Sequence, residues 1–253
     1  MSFSNLLFFA SLASLAFVAG GALPLYRSAW GRHALHRLMA FGAGVLLGAA
    51  FLHLIPEAVE MGGGLTSWGL MSAFFIIFTV EQASLTHYLP EHHADPCSDD
   101  PEVDRPIRAV GMVTFFAMAI HGLIDGLILT TAFDVSLSLG LVAAFAIIVH
   151  KLPAGLSLSS VLLSSEYPRY RILLLSTLVA LATLVGAMAA YLWLMGVPEP
   201  LLALLLGFSA GSFIYVGAVE ILSRLHEERD LLLLAFFALG LASMILSSLY
   251  EIG

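Results

Sequence analysis

The sequence holds one lysine, one cysteine and little charge of either sign. Charged residues are 11% of its 253 positions, ten basic and eighteen acidic, where soluble domains carry about 25%. That scarcity argues against a soluble globular protein. The lone cysteine, Cys97, can close no intrachain disulfide, so no cysteine framework holds the fold. A net charge of −8 offers no basic surface, and basic residues do not interleave with aromatics, so nucleic-acid partners are set aside. Nine of the ten basic residues are arginines, seven of them confined to the stretches 27–37, 105–108 and 169–171. The tenth is Lys151.

What is abundant is apolar: 60% of the residues, much of it in long runs. A bilayer core about 30 Å thick takes roughly 20 apolar residues as a helix, because every backbone polar group there must be satisfied internally. On that template eight spans are predicted, near 3–26, 36–60, 66–88, 107–131, 137–164, 171–196, 201–223 and 231–250. The expected fold is therefore all-α, a polytopic membrane protein of one domain over 1–253. The first run lacks a positively charged start and a clean small-residue cleavage site, so it reads as a retained helix rather than a signal peptide.

Lysine and arginine in short loops set orientation. Arg27, Arg32 and Arg37, Arg105 and Arg108, Arg169 and Arg171, and Arg224 and Arg229 all fall after odd-numbered spans, and the opposite loops hold none. This places both termini outside and the arginine-bearing loops in the cytoplasm, with the cell (inner) membrane as the expected location. One such loop, at about 89–106, carries acids and histidines. His92 and His93 there, with His87 just before it, read either as metal-friendly donors or as incidental members of a solvated acidic linker.

Ionisable residues within a bilayer cost several kcal/mol (order of magnitude) and tend to face a bundle interior or a water cavity. Here they are His53, Glu57, Glu81, His121, Asp125, His150, Lys151 and Glu220. For Glu57 and Glu81, near helix ends, a helix–helix hydrogen bond or snorkelling explains their presence equally well. His121, Asp125 and His150 lie near helix centres. His121 and Asp125, four apart, share one helical face, and both histidines fall near mid-membrane at about 1.5 Å of rise per residue. The hexads His121-Gly122-Leu123-Ile124-Asp125-Gly126 and His150-Lys151-Leu152-Pro153-Ala154-Gly155 have the same architecture. Pro153 should kink or loosen its helix, and Gly126 and Gly155 should admit close neighbours. Two imidazoles and a carboxylate suit a divalent transition ion such as Zn²⁺. His53 and Glu57 fall in the outer third of the second span and Glu220 near the cytoplasmic end of the seventh, so donors recur with depth as along a pathway.

At these hexads the chain resembles the ZIP family of divalent metal transporters (zinc/iron-regulated transporter-like proteins). Gly44–Ala58 (GVLLGAAFLHLIPEA), Gly211–Leu222 (GSFIYVGAVEIL), the eight-span count and the His-bearing loop add to the match. The resemblance implies a ZIP-like helix bundle that carries Zn²⁺, or Cd²⁺, Fe²⁺ or Mn²⁺, into the cytoplasm. It also implies a metal site between helices four and five, alternating access by one helix bundle moving against another, and a homodimer as a common assembly. The metal is cargo, and no catalytic cofactor is expected. The resemblance further implies that members usually have an Asn after the helix-four His and acids after the helix-five His and Pro, with which two adjacent metals can be held. Here those positions are Gly122, Lys151 and Ala154. The expectation is a mononuclear site of His121, Asp125 and His150, with the Lys151 ammonium standing in for the second ion. An acid or Asn at 151, or Asn at 122, would return second-metal ligands. The rival from another class is an intramembrane zinc hydrolase acting on a lipid amide or ester; it lacks an evident separate general base and leaves the donors at other depths unexplained. A Ser–His protease is disfavoured because no Gly-x-Ser-x-Gly elbow is expected.

Overall fold

The computed structural model describes residues 3–26, 31–88, 105–193, 198–222 and 230–252. All elements among them are helical, as long apolar runs in a bilayer require. The helices are α1 (Phe3–Ala22), α2 (Arg32–Ala49, continuing through Ala50–Leu54 into Ile55–Gly62), α3 (Gly64–Tyr88), α4 (Arg105–Val135), α5 (Leu137–Ser164), α6 (Arg169–Trp193), α7 (Glu199–Ile214, continuing through Tyr215–Leu222) and α8 (Leu231–Ile252). Six of them contain segments long and apolar enough to cross a membrane: Phe3–Tyr26, His33–Gly62, Gly111–Asp134, Leu137–Ser164, Arg169–Leu192 and Glu199–Ala218. The other two expected spans are also helices, with shorter apolar stretches at Gly64–Thr79 and Leu231–Leu246.

Local chemistry marks the ends. Ser136 caps α5 by accepting a hydrogen bond from the Leu139 N–H at 3.1 Å. Gly63, at φ +49°, makes the tight reversal between α2 and α3. Helix α5 stops in a Schellman arrangement: the Tyr167 N–H reaches the Leu162 carbonyl at 3.0 Å and the Glu166 N–H the Leu163 carbonyl at 3.1 Å. Glu166 takes the left-handed position, φ 59°, which glycine usually fills. Pro168 then separates α5 from α6.

The expected loosening at Pro153 is not where the backbone departs from α-geometry. Helix α5 runs unbroken from Leu137 to Ser164 with Pro153 inside it. The widened, π-type turns are instead Ala50–Leu54 in α2 and Tyr215–Leu222 in α7. In α2 the Ile55 N–H reaches back five residues to the Ala50 carbonyl, immediately before Pro56, which has no N–H with which to continue the ladder.

The helices pack in two groups. In the first, α1 lies against α5 and α6, and α4 against α5 and α6. In the second, α2 lies against α7 and α8, and α3 against α7. Small residues make these crossings, since lipid supplies little hydrophobic drive and close backbone contact must substitute. A Cβ at Gly155 would strike the Phe17 carbonyl of α1, and one at Gly126 the Thr183 carbonyl of α6, so both glycines admit close neighbours as expected. Gly44 and Gly240 play this part between α2 and α8, and Gly69 and Gly207 between α3 and α7. Hydrogen bonds tie the first group further: Ser14 Oγ donates to the Ala180 carbonyl at 2.7 Å, and Thr130 Oγ1 to the Ala187 carbonyl at 3.2 Å. The groups meet where α2 faces α5 and α4 faces α7.

Two arginines tie helix ends together. Arg169, opening α6, donates from Nη1 to the Leu25 carbonyl beyond α1 at 3.0 Å. Arg37 near the start of α2 pairs through Nε and Nη2, at 3.0 and 2.9 Å, with Asp230 Oδ2 just before α8.

Candidate metal site

The donors predicted from the hexads converge. Asp125 on α4 and His150 and Lys151 on α5 meet through a single oxygen, Asp125 Oδ2. Lys151 Nζ lies 2.6 Å from it, His121 Nε2 3.2 Å and His150 Nε2 3.3 Å. Ligand atoms of His121, Asp125 and His150 all lie within 4.8 Å of one another. Among the described residues this is the one group of three or more His, Cys, Asp or Glu side chains so arranged. Asp125 and His121 are buried, Lys151 is 1% exposed, and His150 keeps 15% of its side chain accessible, so the cluster opens on the His150 side.

These separations can be compared with what an ion needs. Tetrahedral Zn²⁺ with bonds of about 2.0–2.2 Å holds its ligand atoms about 3.3–3.5 Å apart. The two histidine-to-aspartate distances, 3.2 and 3.3 Å, already fall close to that. His121 Nε2 is buried and makes no hydrogen bond. His150 Nε2 shares a hydrogen bond with Asp125 Oδ2. Lys151 occupies the other side of that oxygen, with its Nζ 5.7 Å from the centre of the Phe17 ring of α1. An ammonium in a buried site must be paired, and here the pairing group is the Asp125 carboxylate.

Two contacts of His121 were not legible in the sequence. Its Nδ1 lies 2.9 Å from Ser209 Oγ on α7, and its ring packs against Phe213 with centroids 4.4 Å apart. Ser209 and Phe213 are four apart and share a face of α7. The only hint in the sequence was a serine inside an apolar helix. Ser209 also stands in Gly207-Phe208-Ser209-Ala210-Gly211, which has Gly-x-Ser-x-Gly spacing, so the protease reading cannot be dismissed for want of that motif. It fails on geometry. A nucleophile elbow needs a strand-to-helix turn with free backbone N–H groups for an oxyanion, whereas Ser209 is fully buried within α7.

Of the remaining predicted residues, the structure describes the side chains of His53 and Glu57. His53 sits in the widened turn of α2 and lies within electrostatic range of both His121 and His150. Glu57 follows in the first turn of Ile55–Gly62, half-buried. The backbone of Glu220 belongs to the widened turn of α7, but its side chain lies outside the described residues, as do those of Glu81 and His87. His92, His93 and most of the loop at 89–106 also lie outside them. Gly122 faces α6: a Cβ there would come within 3.2 Å of the Val179 carbonyl and 3.3 Å of Thr183 Oγ1. Asn at 122 fits only if α6 yields. Ala154 is buried on α5.

A polytopic helical membrane protein with a His–Asp–His cluster between two of its helices has a donor set that could hold a metal ion. The comparisons make this specific. The sequence profile described as "ZIP Zinc transporter" matches residues 3–105 and 79–248, nearly the whole chain. The chain belongs to the ZIP family, whose members are transporters and not enzymes, and the hydrolase reading is thereby set aside. The relatives include zinc transporter ZupT of Chlorobium luteolum, 30% identical over 262 residues that cover 98% of each chain. Zinc transporter ZIP13 of Pongo abelii is 29% identical over 94% of this chain and 77% of its own. For the Mus musculus ZIP13, at 28% identity, the match covers 81% of this chain and 66% of that protein.

Proposed function

We propose that this protein carries divalent transition-metal ions, Zn²⁺ first among them, into the cytoplasm, binding one ion at a time at His121, Asp125 and His150. The observation that carries the proposal is the convergence of three donors from α4 and α5, two of them buried, at near-ligand spacing. Zn²⁺ ranks ahead of Cd²⁺, Fe²⁺ and Mn²⁺ because a pair of imidazoles with one carboxylate suits it and because the named relatives are zinc transporters. Water or one further protein group completes four-coordination.

Lys151 is the reason for a single ion. Its ammonium contacts Asp125 Oδ2, neutralises Asp125 while the site is empty, and repels a second dication. All three ligands and the lysine belong to the group of α1, α4, α5 and α6. Movement of that group against α2, α3, α7 and α8 would carry the site as a unit and expose it to the two sides in turn. His53 and Glu57 on α2 and Glu220 on α7 then serve as way stations; His53 and Glu220 belong to the two widened turns, and such turns are often functional. The nine arginines support cytoplasmic ends for α1, α3, α5 and α7, both termini outside, and residence in the cell (inner) membrane. His87, His92 and His93 would receive or sense metal on the cytoplasmic side. A homodimer is the assembly proposed.

The test is metal flux into proteoliposomes holding purified protein, with His121→Ala and His150→Ala as controls. Uptake of Zn²⁺ that both variants abolish supports the reading. No movement of Zn²⁺, Cd²⁺, Fe²⁺ or Mn²⁺ above empty liposomes refutes it.

A further inference from the structure

We infer that Ser209 is a positioning residue which, from the opposite helix group, fixes the ring of His121 for metal binding and so ties metal affinity to the relative position of the two groups. The inference rests on the carrier reading above and goes beyond it.

The chemistry begins with the two nitrogens of His121. Nε2 is the one aimed at the donor cluster, 3.2 Å from Asp125 Oδ2, and it carries no hydrogen bond. If a metal takes Nε2, the ring's proton must sit on Nδ1. Nδ1 lies 2.9 Å from Ser209 Oγ, which can accept that proton's hydrogen bond. Metal-ligating histidines nearly always donate from the second nitrogen in this way, which fixes both tautomer and ring orientation. Phe213, one turn further along α7, packs on the same ring and limits its rotation. Ser209, Phe213 and His121 are all buried, so no solvent molecule competes for the contact.

The placement of the partners gives the bond its consequence. Asp125, His150 and Lys151 contact one another within α4 and α5, helices of one group, and would move together. The His121–Ser209 bond instead crosses to α7 in the other group. A displacement of α4 along α7 separates Nδ1 from Oγ and lifts the ring off Phe213. His121 then loses its fixed tautomer and orientation, and the site holds its ion less tightly. Release is favoured in whichever orientation lacks the bond.

The experiment compares Ser209→Ala, Ser209→Thr and Ser212→Ala with the parent protein, using Zn²⁺ and Cd²⁺ as probes. Ser212 is the control for helix integrity: it is buried on α7 and donates from Oγ to the Ser209 carbonyl, but does not touch His121. Calorimetry on purified protein should show Ser209→Ala binding about tenfold more weakly at unchanged stoichiometry, the lower end of what loss of an outer hydrogen-bond partner costs. Ser209→Thr should restore affinity and Ser212→Ala should leave it alone. In oriented vesicles, Ser209→Ala should raise KM for metal offered on one side of the membrane only. Affinity within twofold of the parent, or equal losses in Ser209→Ala and Ser212→Ala, overturns the positioning role. A KM raised equally from both sides overturns its dependence on conformation. A parent protein that binds no metal overturns the carrier reading and this inference with it, whereas the other outcomes leave the carrier reading intact.

Discussion

Replacing Lys151 with methionine removes the ammonium while keeping a stem of similar length and apolar character. In the empty protein, Asp125 Oδ2 loses a cation at 2.6 Å in a site where lysine and aspartate are both almost wholly buried. Breaking a buried ion pair by deleting one partner costs about 3–5 kcal/mol, because the other charge is left uncompensated. At about 2–4 °C per kcal/mol for a chain of this size, the empty variant should melt roughly 6–20 °C below the parent. The metal-bound protein should lose far less, since a dication supplies Asp125 with the charge that the lysine supplied and no longer faces an ammonium. The difference appears as affinity: if about 3 kcal/mol is recovered on binding, Kd falls about a hundredfold, at 1.4 kcal/mol per decade. Thermal unfolding with and without Cd²⁺, together with calorimetry, reads both quantities. The reasoning is refuted if Lys151→Met leaves the melting temperature of the empty protein unchanged, or if it weakens metal binding.

Lys151→Glu should bind two ions per protomer where the parent binds one, a change that anomalous scattering would count; a single ion in the variant removes lysine from its assigned role. Gly126→Ala would drive a methyl into the Thr183 carbonyl and the Ala187 N–H of α6, and overpacking of this kind costs about 1–3 kcal/mol, so a melting temperature matching the parent's counts against the packing described for α4 and α6. Glu166→Gly should raise stability by about 1 kcal/mol, since it relieves a left-handed residue at the end of α5. Hydrogen bonding from the Leu232 N–H, and then from Arg37, holds the Asp230 carboxyl below its ordinary 3.8. A depressed folded value means that this contribution is fully present above the unfolded value and fades as pH falls through the folded one; Asp230→Asn should therefore narrow its stability gap to the parent on acidification below about pH 4, and a gap independent of pH refutes the pairing.

How far the sequence foretold these features depended on whether a feature is local. The spans were legible because a bilayer forces about 20 apolar residues into each helix, and the structure places helices over all eight runs. His121, Asp125 and His150 were legible because ionisable groups are costly in such runs and a spacing of four puts two of them on one face. The family resemblance read at the same hexads is confirmed across nearly the whole chain. That all donors and Lys151 would share one oxygen of Asp125 was beyond the sequence, because it depends on the crossing of α4 and α5. The contacts of Ser209 and Phe213 with His121 join residues 88 or more positions apart and leave no periodic trace. Proline position alone misled: Pro153 sits in an unbroken helix, whereas Pro56 adjoins a widened turn. The pairing of Arg37 with Asp230 escaped notice because each residue, taken singly, looks like an ordinary loop or interfacial charge.

The central claim is a single ion held by two histidines and one aspartate beside a lysine. Its most direct test is anomalous diffraction from crystals of the parent protein grown with Cd²⁺ or Zn²⁺. The account predicts one mid-membrane peak per protomer, within about 2.0–2.3 Å of Asp125, His121 Nε2 and His150 Nε2. Two equally occupied peaks between α4 and α5, or a single peak away from those three side chains, would contradict it.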